Sequence, residues 1–449
     1  MSKSDLLRIG AGAAYAGDRI EPALELAEKG GIDYLVFECL AERTIALAQL
    51  SKLKNSQQGY DPMLVKRMQS VLPTCIKKGI RIISNMGAAN PVAAAKKIIE
   101  LAPSLGIDRI KVAAVVGDNV LSFFQSGAYP LPDPVSSDNL VSANAYIGVE
   151  TLVEALESGA DVILAGRVAD PSLFLAPMVY EFGWEADNWP LLGQGTVIGH
   201  LMECAGQVTG GYFADPTRKD VNDLARLGFP IAEISSNGEA CITKIKGTGG
   251  QVTTATCREQ LLYELHDPSS YLTPDVTADF SQVVFEEAGP DRVMVRGGTG
   301  KPRPEQLKVS IGYRDGYRGE GQISYAGVGA VDRGQLALEI VKQRLAITNV
   351  PVRELRDELI GMNSIAREHS VPDQYQPYEV RARIAGRTWT AEAAQAIADE
   401  VETLYTNGPA GGGGVSKDIR EVIAIASSYI DRKVISPETV LLEKWYEAL

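Results

Sequence analysis

Two pairs of polar residues in the chain have the types and the spacing that acid–base chemistry requires. Arg167 and Asp170 stand directly before a predicted helix, so the guanidinium could pair with a carboxylate while the helix N-terminus holds an anion. His200 and Glu203 lie three residues apart on one face of the next predicted helix, which suits a general acid–base pair or two metal ligands. The alternatives are structural: Asp170 as a helix cap with Arg167 as its partner, and a His200–Glu203 hydrogen bond within the helix.

The carboxyl ends of predicted strands carry further polar residues. Four such segments are rich in carboxylate, amide and small residues: Glu38–Glu42, Ser84–Pro91, Gly117–Asn119 and Gly166–Ser172. Since an open parallel sheet binds its ligands at the carboxyl ends of its strands, we expect these segments to share one crevice. The predicted catalytic residues are Glu38, Asp170, Glu203 and His200, and the predicted substrate-binding residues at strand ends are Asn85 and Arg167.

Glycine-rich turns offer backbone amides that could hold an anionic oxygen. Six residues in two such turns are also predicted to bind substrate: Thr209, Gly210, Gly211, Asn237, Gly249 and Gly250. The loop 236–250 is expected to close over the site. Ordinary glycine turns would have the same local shape, and no Lys-Ser or Lys-Thr follows the later glycines, so a P-loop is not predicted.

The start of the chain imitates a dinucleotide-binding fingerprint but departs from it. Gly10 and Gly12 follow a predicted strand and Glu38 ends the next, yet position 15 is tyrosine and Gly17 comes two residues late. We therefore predict neither a tightly bound nicotinamide nor a flavin, and no cofactor is expected. A divalent cation is the exception left open. Four carboxylates could surround Mg²⁺: Asp170, Glu203, Asp215 and Glu239.

Strands and helices alternate in the first half of the chain and would position these residues. Runs of β-branched residues are separated by segments of helical apolar spacing that end in glycine, the pattern of a parallel sheet with crossover helices. From about Ile242 the strand-like runs become consecutive before a helix follows, as in an α+β fold. The predicted fold class is α/β. A mostly parallel α/β domain over residues 1–240 carries the site, and an α+β domain over residues 241–449 contains a glycine-rich loop at 408–414, interpreted as a lid, a ligand contact or a linker.

Composition limits the class of protein. The chain has 449 residues, of which 45% are hydrophobic and 22% charged, as in globular proteins long enough for two cores. Its net charge of −13 disfavours nucleic acid as a partner, and no segment has the length and hydrophobicity of a membrane span or a secretory signal. The five cysteines form no C-x-x-C pair, so neither disulfides nor an iron–sulfur cluster is predicted. We expect a cytoplasmic protein that forms homo-oligomers.

Several motifs together resemble the acyclic terpene utilisation (AtuA-like) family. In the family's order they are GRVADPSL, ECAGQVTGGYFADP, SNGEACITK with the later GTGG and EQLLYELHDPSSYLTPDV, and LKVSIGYRDGY. The resemblance extends from Leu7 to about Leu345. It implies catabolism of small carboxylic acids or their coenzyme A esters. Some relatives carry an additional small C-terminal domain, so the resemblance also implies that a separate small partner subunit could bind.

Three functions fit the residues and the resemblance. The first is a lyase of the hydratase or dehydratase type, acting on a small carboxylate or its coenzyme A ester through a carboxylate base, a proton donor and an anion clamp. The second is an acyl-group hydrolase or transferase with Cys39 or Cys204 as nucleophile, which ranks lower because neither cysteine has a histidine partner in the sequence. The third is a non-catalytic subunit that completes a partner's active site.

Overall fold

The chain is a mixed α/β protein, and a computed structural model describes its residues 6–365, 367 and 375–445. Its strands are β1 (Leu6–Ala13), β2 (Tyr34–Phe37), β3 (Arg81–Ser84), β4 (Arg109–Val116), β5 (Leu140–Ala145), β6 (Val162–Ala165), β7 (Pro230–Ser235), β8 (Ala240–Lys244), β9 (Tyr271–Leu272), β10 (Thr277–Asp279), β11 (Val284–Gly289), β12 (Arg292–Arg296), β13 (Thr299–Lys301), β14 (Gln306–Ala326), β15 (Glu354–Ile360), β16 (Glu379–Thr388), β17 (Gly413–Asp431) and β18 (Glu438–Trp445). Its helices are α1 (Glu21–Lys29), α2 (Glu42–Lys54), α3 (Leu64–Lys78), α4 (Pro91–Leu101), α5 (Leu121–Gln125), α6 (Val149–Glu157), α7 (Asp170–Phe182), α8 (Trp189–Glu203), α9 (Thr254–Leu262), α10 (Ala330–Ile347), α11 (Ala391–Glu402) and α12 (Leu404–Asn407). The predicted α/β fold class is confirmed.

The main sheet joins ten strands of the described residues in the order β11–β12–β8–β7–β1–β2–β3–β6–β4–β18. The central strands β1, β2, β3, β6 and β4 run parallel, as predicted, while β7 and β18 pair antiparallel at the two sides of this group. Every residue of β2 and β6 is buried. Their continuous apolar sequences are typical of strands covered on both faces by crossover helices. Because these five central strands run parallel, their carboxyl ends lie at one edge of the sheet.

The described residues divide into two compact units, and the division is not at the predicted boundary near residue 240. One unit runs to Gly312 and resumes at Ile425, and the other is Tyr313–Ala424. The strands around and after residue 240 do not start a new domain, because β7, β8, β12 and β11 pair successively onto β1. The change from alternating to consecutive strands marks an antiparallel extension of the same sheet.

The second unit contains a sheet with helices packed against it. Its strands lie in the order β15–β16–β14–β17, with α10 and α11 packed against β16. Helix α11 also approaches β14 so closely that a Cβ at Gly319 would lie 1.9 Å from the Ala394 carbonyl oxygen. The glycine-rich loop 408–414 is held at Ala410, whose carbonyl accepts from Arg333 at 2.8 Å, and its last two glycines already belong to β17.

Two further observations concern the class of protein. All five cysteines carry free thiols. Within the described ranges, no helix is both long enough and apolar enough to cross a membrane.

Candidate active site

Polar residues follow four neighbouring parallel strands at the carboxyl edge of the main sheet. Glu38 comes directly after β2, Asn85 directly after β3, Asp118 two residues after β4 and Arg167 two residues after β6. These strands are adjacent in the order β2–β3–β6–β4. All four side chains are buried. The topology thus brings them to one place, as expected for loops at the carboxyl ends of a parallel sheet.

Asn85 holds the carboxyl group of Glu38. Its Nδ2 donates to Glu38 Oε1 at 2.8 Å, and its Oδ1 accepts from the Cys39 N–H at 2.7 Å. The Leu40 N–H donates to the same Glu38 oxygen at 2.9 Å. Because Oε1 accepts two hydrogen bonds, a proton on Glu38 belongs on Oε2. Asn85, predicted to bind substrate, is therefore placed where it positions the carboxyl group.

The guanidinium of Arg167 is only 1% exposed and donates to acceptors within the protein. Its Nε donates to the Val168 carbonyl at 2.8 Å, and its two terminal nitrogens donate to the carbonyls of Leu40 and Val168 and to the carboxylate of Asp170. The guanidinium also lies 4.5 Å from the centre of the Tyr146 ring. Arg167 therefore fixes Asp170 and the loop after β2 through four hydrogen bonds to protein acceptors.

Asp118 holds the backbone of this arginine. Its Oδ2 accepts from the Arg167 N–H at 3.0 Å and from Asn144 Nδ2 at 2.8 Å. A Cβ at Gly166 would lie 2.6 Å from Asp118 Oδ1, so the close approach of the two loops requires glycine at that position. Asp118 lies in one of the predicted polar segments, but it was not among the predicted site residues.

Two crossing helices bring Asp170 close to Glu203. Asp170 begins α7, and Glu203 ends α8. The helices touch at Gly199, where an added Cβ would lie 2.6 Å from the Pro171 carbonyl oxygen. Gly199 and Glu203 are one turn apart on the same face of α8. The first turn of α7 therefore lies beside the end of α8 that carries Glu203.

His200 and Glu203 form the side-chain pair that their spacing predicts. His200 Nδ1 lies 2.9 Å from Glu203 Oε1, and His200 Nε2 lies 3.1 Å from the Leu261 carbonyl, which can only accept, so Nε2 carries a hydrogen. The imidazole packs against Tyr271 and Phe280, with ring centres 5.3 and 5.5 Å away. Glu203 Oε2 is buried and has no hydrogen-bond partner. One oxygen of this carboxyl group is thus left for a proton or a ligand.

Burial and neighbouring charges shift the pKa values of these groups. Burial, and next the negative charge of Asp170, raise the pKa of Glu38 to about 8 against the opposing charge of Arg167. Burial raises the pKa of Glu203 to about 7, although His200 opposes this and Asp170 adds to it. Burial disfavours protonation of His200, but the charge and hydrogen bond of Glu203 outweigh it, so the pKa of His200 is raised. Carboxyl groups with such pKa values exchange protons near neutral pH.

The two cysteines considered as nucleophiles are in unfavourable surroundings for that role. Burial raises the pKa of the Cys39 thiol well above its usual range, and burial with the negative charge of Glu203 raises that of Cys204. The thiolate is the nucleophilic form of cysteine. Both nitrogens of His200 already have partners in Glu203 and Leu261. These surroundings disfavour a cysteine nucleophile.

The predicted glycine turns use their backbone amides internally. The four N–H groups donate to carbonyls as follows: Gly210 to Gln207, Gly211 to Gly206, Gly249 to Arg226 and Gly250 to Asn222. The Thr209 hydroxyl lies within hydrogen-bonding distance of the Gly206 and Gly228 carbonyls, and the residue is completely buried. A Cβ at Gly250 would lie 2.4 Å from the Thr209 carbonyl oxygen, so the two turns pack directly on each other. Their glycines serve this packing, and the amides do not form an open anion cradle.

Asn237 lies at the other edge of the sheet from Glu38. It belongs to the hairpin between β7 and β8, where Ser235 pairs with Leu6 at the amino end of β1. Its Oδ1 accepts from the Ser235 hydroxyl at 2.6 Å and from the Glu239 N–H at 3.1 Å, which stabilises the turn. The segment 236–250 includes β8 and so crosses the sheet from one edge to the other. It does not form a single loop over the crevice.

The same topology separates the four carboxylates considered for Mg²⁺. Glu239 lies with Asn237 at the amino edge, whereas Asp170 and Glu203 lie at the carboxyl edge. Asp215 forms a turn of its own with Lys219. In the part of the chain that the structure describes, no group of three or more His, Cys, Asp or Glu side chains could hold a metal ion.

Residues that were not predicted also line this edge. Tyr146 follows β5 and donates to Glu42 Oε1 at 3.0 Å. Its ring is in contact with two cations, those of Arg167 and Lys308, the latter 5.2 Å from the ring centre. Tyr271 packs against the His200 ring. The strand β5 was not predicted, so nothing marked Tyr146 as a strand-end residue. The sequence signal for it was an aromatic residue directly after the polar run SANA.

The family model described as "Acyclic terpene utilisation family protein AtuA" matches residues 7–441. That range includes every residue of the site described above. No curated protein and no solved structure matches the chain. Since the matching model spans nearly the whole sequence, the chain belongs to the AtuA family of acyclic terpene utilisation proteins.

Proposed function

We propose that the protein is a lyase of the hydratase–dehydratase type, acting on a small carboxylic acid or its coenzyme A ester with Glu38 and Asp170 as acid and base. One observation carries the proposal. Arg167 is bonded both to Asp170 and to the Leu40 carbonyl, and the Leu40 N–H is bonded to Glu38, so one buried cation fixes both carboxyl groups at the same sheet edge. Glu38 is buried, while the Asp170 side chain is 37% exposed and ion-paired.

The two environments suit opposite roles in dehydration. Asp170, as carboxylate, removes the proton from the carbon next to the substrate carbonyl, and the C–H electron pair becomes the new double bond. Glu38, protonated at neutral pH because its pKa is about 8, gives its proton to the departing hydroxyl, which leaves as water. Hydration is the reverse sequence. No redox change occurs, so the reaction needs no electron acceptor.

Glu203 and His200 supply a second proton-exchanging pair beside Asp170. In the proposed cycle the proton taken up by Asp170 passes to Glu203, whose free oxygen and pKa of about 7 suit it to accept and release a proton. Membership of a family named for acyclic terpene utilisation supports a catabolic role on carbon compounds.

Mass spectrometry of the purified protein with small acids tests this function. The substrates are hydroxy acids, the corresponding unsaturated acids and the coenzyme A esters of both. We expect loss or gain of one water with at least one substrate pair, and a strong decrease in that turnover in Glu38→Gln and in Asp170→Asn. Turnover that survives in both variants would contradict the assigned roles, and hydrolysis of the ester in place of hydration would favour the acyl-hydrolase alternative.

The non-catalytic alternative is tested with the same assay. If the isolated chain has no activity but a small partner protein restores it, the chain is one part of a composite enzyme. The variants then distinguish the roles, since loss of the restored activity in Glu38→Gln would still place the acid in this chain.

A further inference from the structure

The ten-stranded main sheet has two edge strands of different character. At one edge, β11 carries the adjacent Glu286 and Glu287, and its pairing with β12 shifts register between Glu287 and Gly289. Charged side chains and a shift of register are features that keep an edge strand from pairing with another chain. At the other edge, β18 pairs with β4 residue for residue over all eight of its positions. These eight pairs contain no shift of register, so β18 lacks this protection.

The strand β18 is firmly held on its inner side and has no partner strand on its outer side among residues 6–365 and 375–445. Helices α4 and α6 pack against it, and the Thr439 hydroxyl donates to the Thr151 carbonyl of α6 at 3.2 Å. Glu443 pairs with Arg109 and Lys111 of β4. The outer N–H and C=O groups of β18 therefore form a fixed row of donors and acceptors.

The side chains of β18 are arranged symmetrically about Leu441, which is 42% exposed. Glu438 and Lys444 are both exposed and lie equally far from Leu441 on its two sides. In an antiparallel pair of two such strands with Leu441 opposite Leu441, Glu438 of each strand would face Lys444 of the other. Val440 would face Leu442. Opposite charges and pairs of apolar side chains are both favourable across strands.

The two neighbouring registers lack this match. Side chains that lie opposite each other must be on the same face of the sheet, so the register can change only in steps of two positions. One step in one direction would place Glu438 opposite Leu442, and one step in the other would place Lys444 opposite Val440. A charged side chain would then face an apolar one. Of these three registers, the one centred on Leu441 alone pairs the opposite charges.

We propose that the protein forms a two-fold symmetric dimer in which the β18 strands of two copies pair antiparallel about Leu441. This pairing joins the two main sheets into one continuous sheet. A two-fold interface uses the same surface on both copies, so that surface must be complementary to itself. The order of charges in β18 meets this requirement, which is why the partner is a second copy of this chain. The proposal is independent of the reaction, since β18 carries none of the candidate catalytic residues.

Sedimentation equilibrium of the full chain tests the dimer. We expect a monomer–dimer equilibrium between about 1 µM and about 100 µM, the range in which an interface of modest area dissociates. Glu438→Lys should raise the dissociation constant by about tenfold or more, because two lysines would then face each other at both ends of the strand pair, and Lys444→Glu should do the same with two glutamates. The double variant Glu438→Lys/Lys444→Glu restores opposite charges. Its dissociation constant should return to within about threefold of the wild-type value.

A matched pair of lysine variants distinguishes the two edges of the sheet. Leu441→Lys should weaken the dimer by about tenfold or more, because it brings two positive charges together at the two-fold axis. Val284 is 49% exposed on the opposite edge strand, β11, so Val284→Lys should change the dissociation constant by less than about twofold. Circular dichroism checks that each variant is folded. A wild type that is monomeric throughout, equal weakening by the two lysine variants, or a double charge variant as weak as the single ones would each overturn the proposal.

Discussion

Glu38 and Asp170 are chemically similar side chains that the fold places in different surroundings. Glu38 is buried and bonded through one oxygen to two donors, whereas Asp170 is partly exposed and paired with Arg167. Two titratable groups whose environments differ in this way are the usual basis for dividing acid and base roles. The difference comes from the loops around the residues, which is why residue type alone did not reveal it.

The acid role of Glu38 predicts a specific pH profile. In the dehydration direction Glu38 must be protonated, so turnover should fall as pH rises through about 8. Glu38→Gln should lower kcat by about 10²- to 10⁴-fold, the usual contribution of a general acid, and should remove this alkaline limb from the residual activity. Steady-state rates over the pH range measure both effects. An unchanged alkaline limb in the variant would assign it to another group.

The same group predicts how stability depends on pH. The pKa of Glu38 is about 8 in the folded protein against 4.5 for an unperturbed glutamate, so the folded state binds the proton more tightly. The protonated Glu38 carboxyl group contributes its full stabilisation below about pH 4.5. This contribution is lost as the pH rises through about 8. The free energy of unfolding in urea should fall less between about pH 5 and about pH 9 in Glu38→Gln than in the wild type. Equal decreases would contradict the raised pKa.

Replacement of Arg167 should strongly lower the free energy of unfolding, and replacement of Arg226 is a matched control. Arg167→Met leaves Asp170 without its ion pair and two buried carbonyls without a donor, which should cost about 3–5 kcal/mol of unfolding free energy. Arg226 also pairs with an aspartate three residues away, but it is 80% exposed, so Arg226→Met should change stability by less than about 0.5 kcal/mol. Urea denaturation compares them, and similar small losses would mean that the buried network is not stabilising.

The positions of site residues on helices and strands explain which of them could be predicted from the sequence. The residues after β2, β3 and β6 were identified because parallel strands must end at a common edge, and their apolar runs are clear in the sequence. Glu203 depended on the direction of α8, which periodicity does not give. The glycine turns were misleading for a related reason: glycine indicates an unusual backbone, but only the fold shows whether its N–H meets a ligand or a carbonyl.

The crossing of α7 and α8 gives an element-scale prediction. A Cβ in Gly199→Ala would press on the backbone of Pro171, which cannot move as a flexible side chain can. We expect a loss of about 1–3 kcal/mol in stability and reduced turnover, because Asp170 would shift away from Glu203. Gly413→Ala is the control, since an added Cβ there meets nothing within 4 Å. Circular dichroism melting and kcat measure the two effects, and equal behaviour of the variants would refute the packing argument.

At the scale of the whole molecule, local sequence patterns gave the correct class and the wrong boundary. The consecutive strands after residue 240 have the pattern of a separate antiparallel domain. In the structure these strands instead belong to the main sheet, because β7, β8, β12 and β11 pair successively onto β1. The strand β18 likewise pairs with β4 although the two are distant in the chain. Such long-range pairing leaves no mark on local periodicity.

The two units have separate hydrophobic cores, which predicts separable effects. Ile384 is 1% exposed in the core of the second unit, so Ile384→Ala should destabilise that unit by about 2–5 kcal/mol. Every residue of the candidate site belongs to the first unit. Calorimetry should therefore show a lowered transition while kcat well below that temperature changes by less than about twofold. A large loss of kcat in Ile384→Ala at that low temperature would show that the site depends on the core of the second unit.

The pairing of β18 with β4 also determines when the main sheet is finished during synthesis. Eight residues of β18 pair with Arg109–Val116, and they are made after most of the chain. At ribosomal rates of about 5–20 residues per second, the outer edge of β4 stays unpaired on the nascent chain for roughly tens of seconds. An unpaired strand edge is a template for pairing with other chains. Ribosome stalling between β4 and β18 would therefore leave a nascent chain prone to aggregate and dependent on chaperones, even though most of its sheet could already have formed.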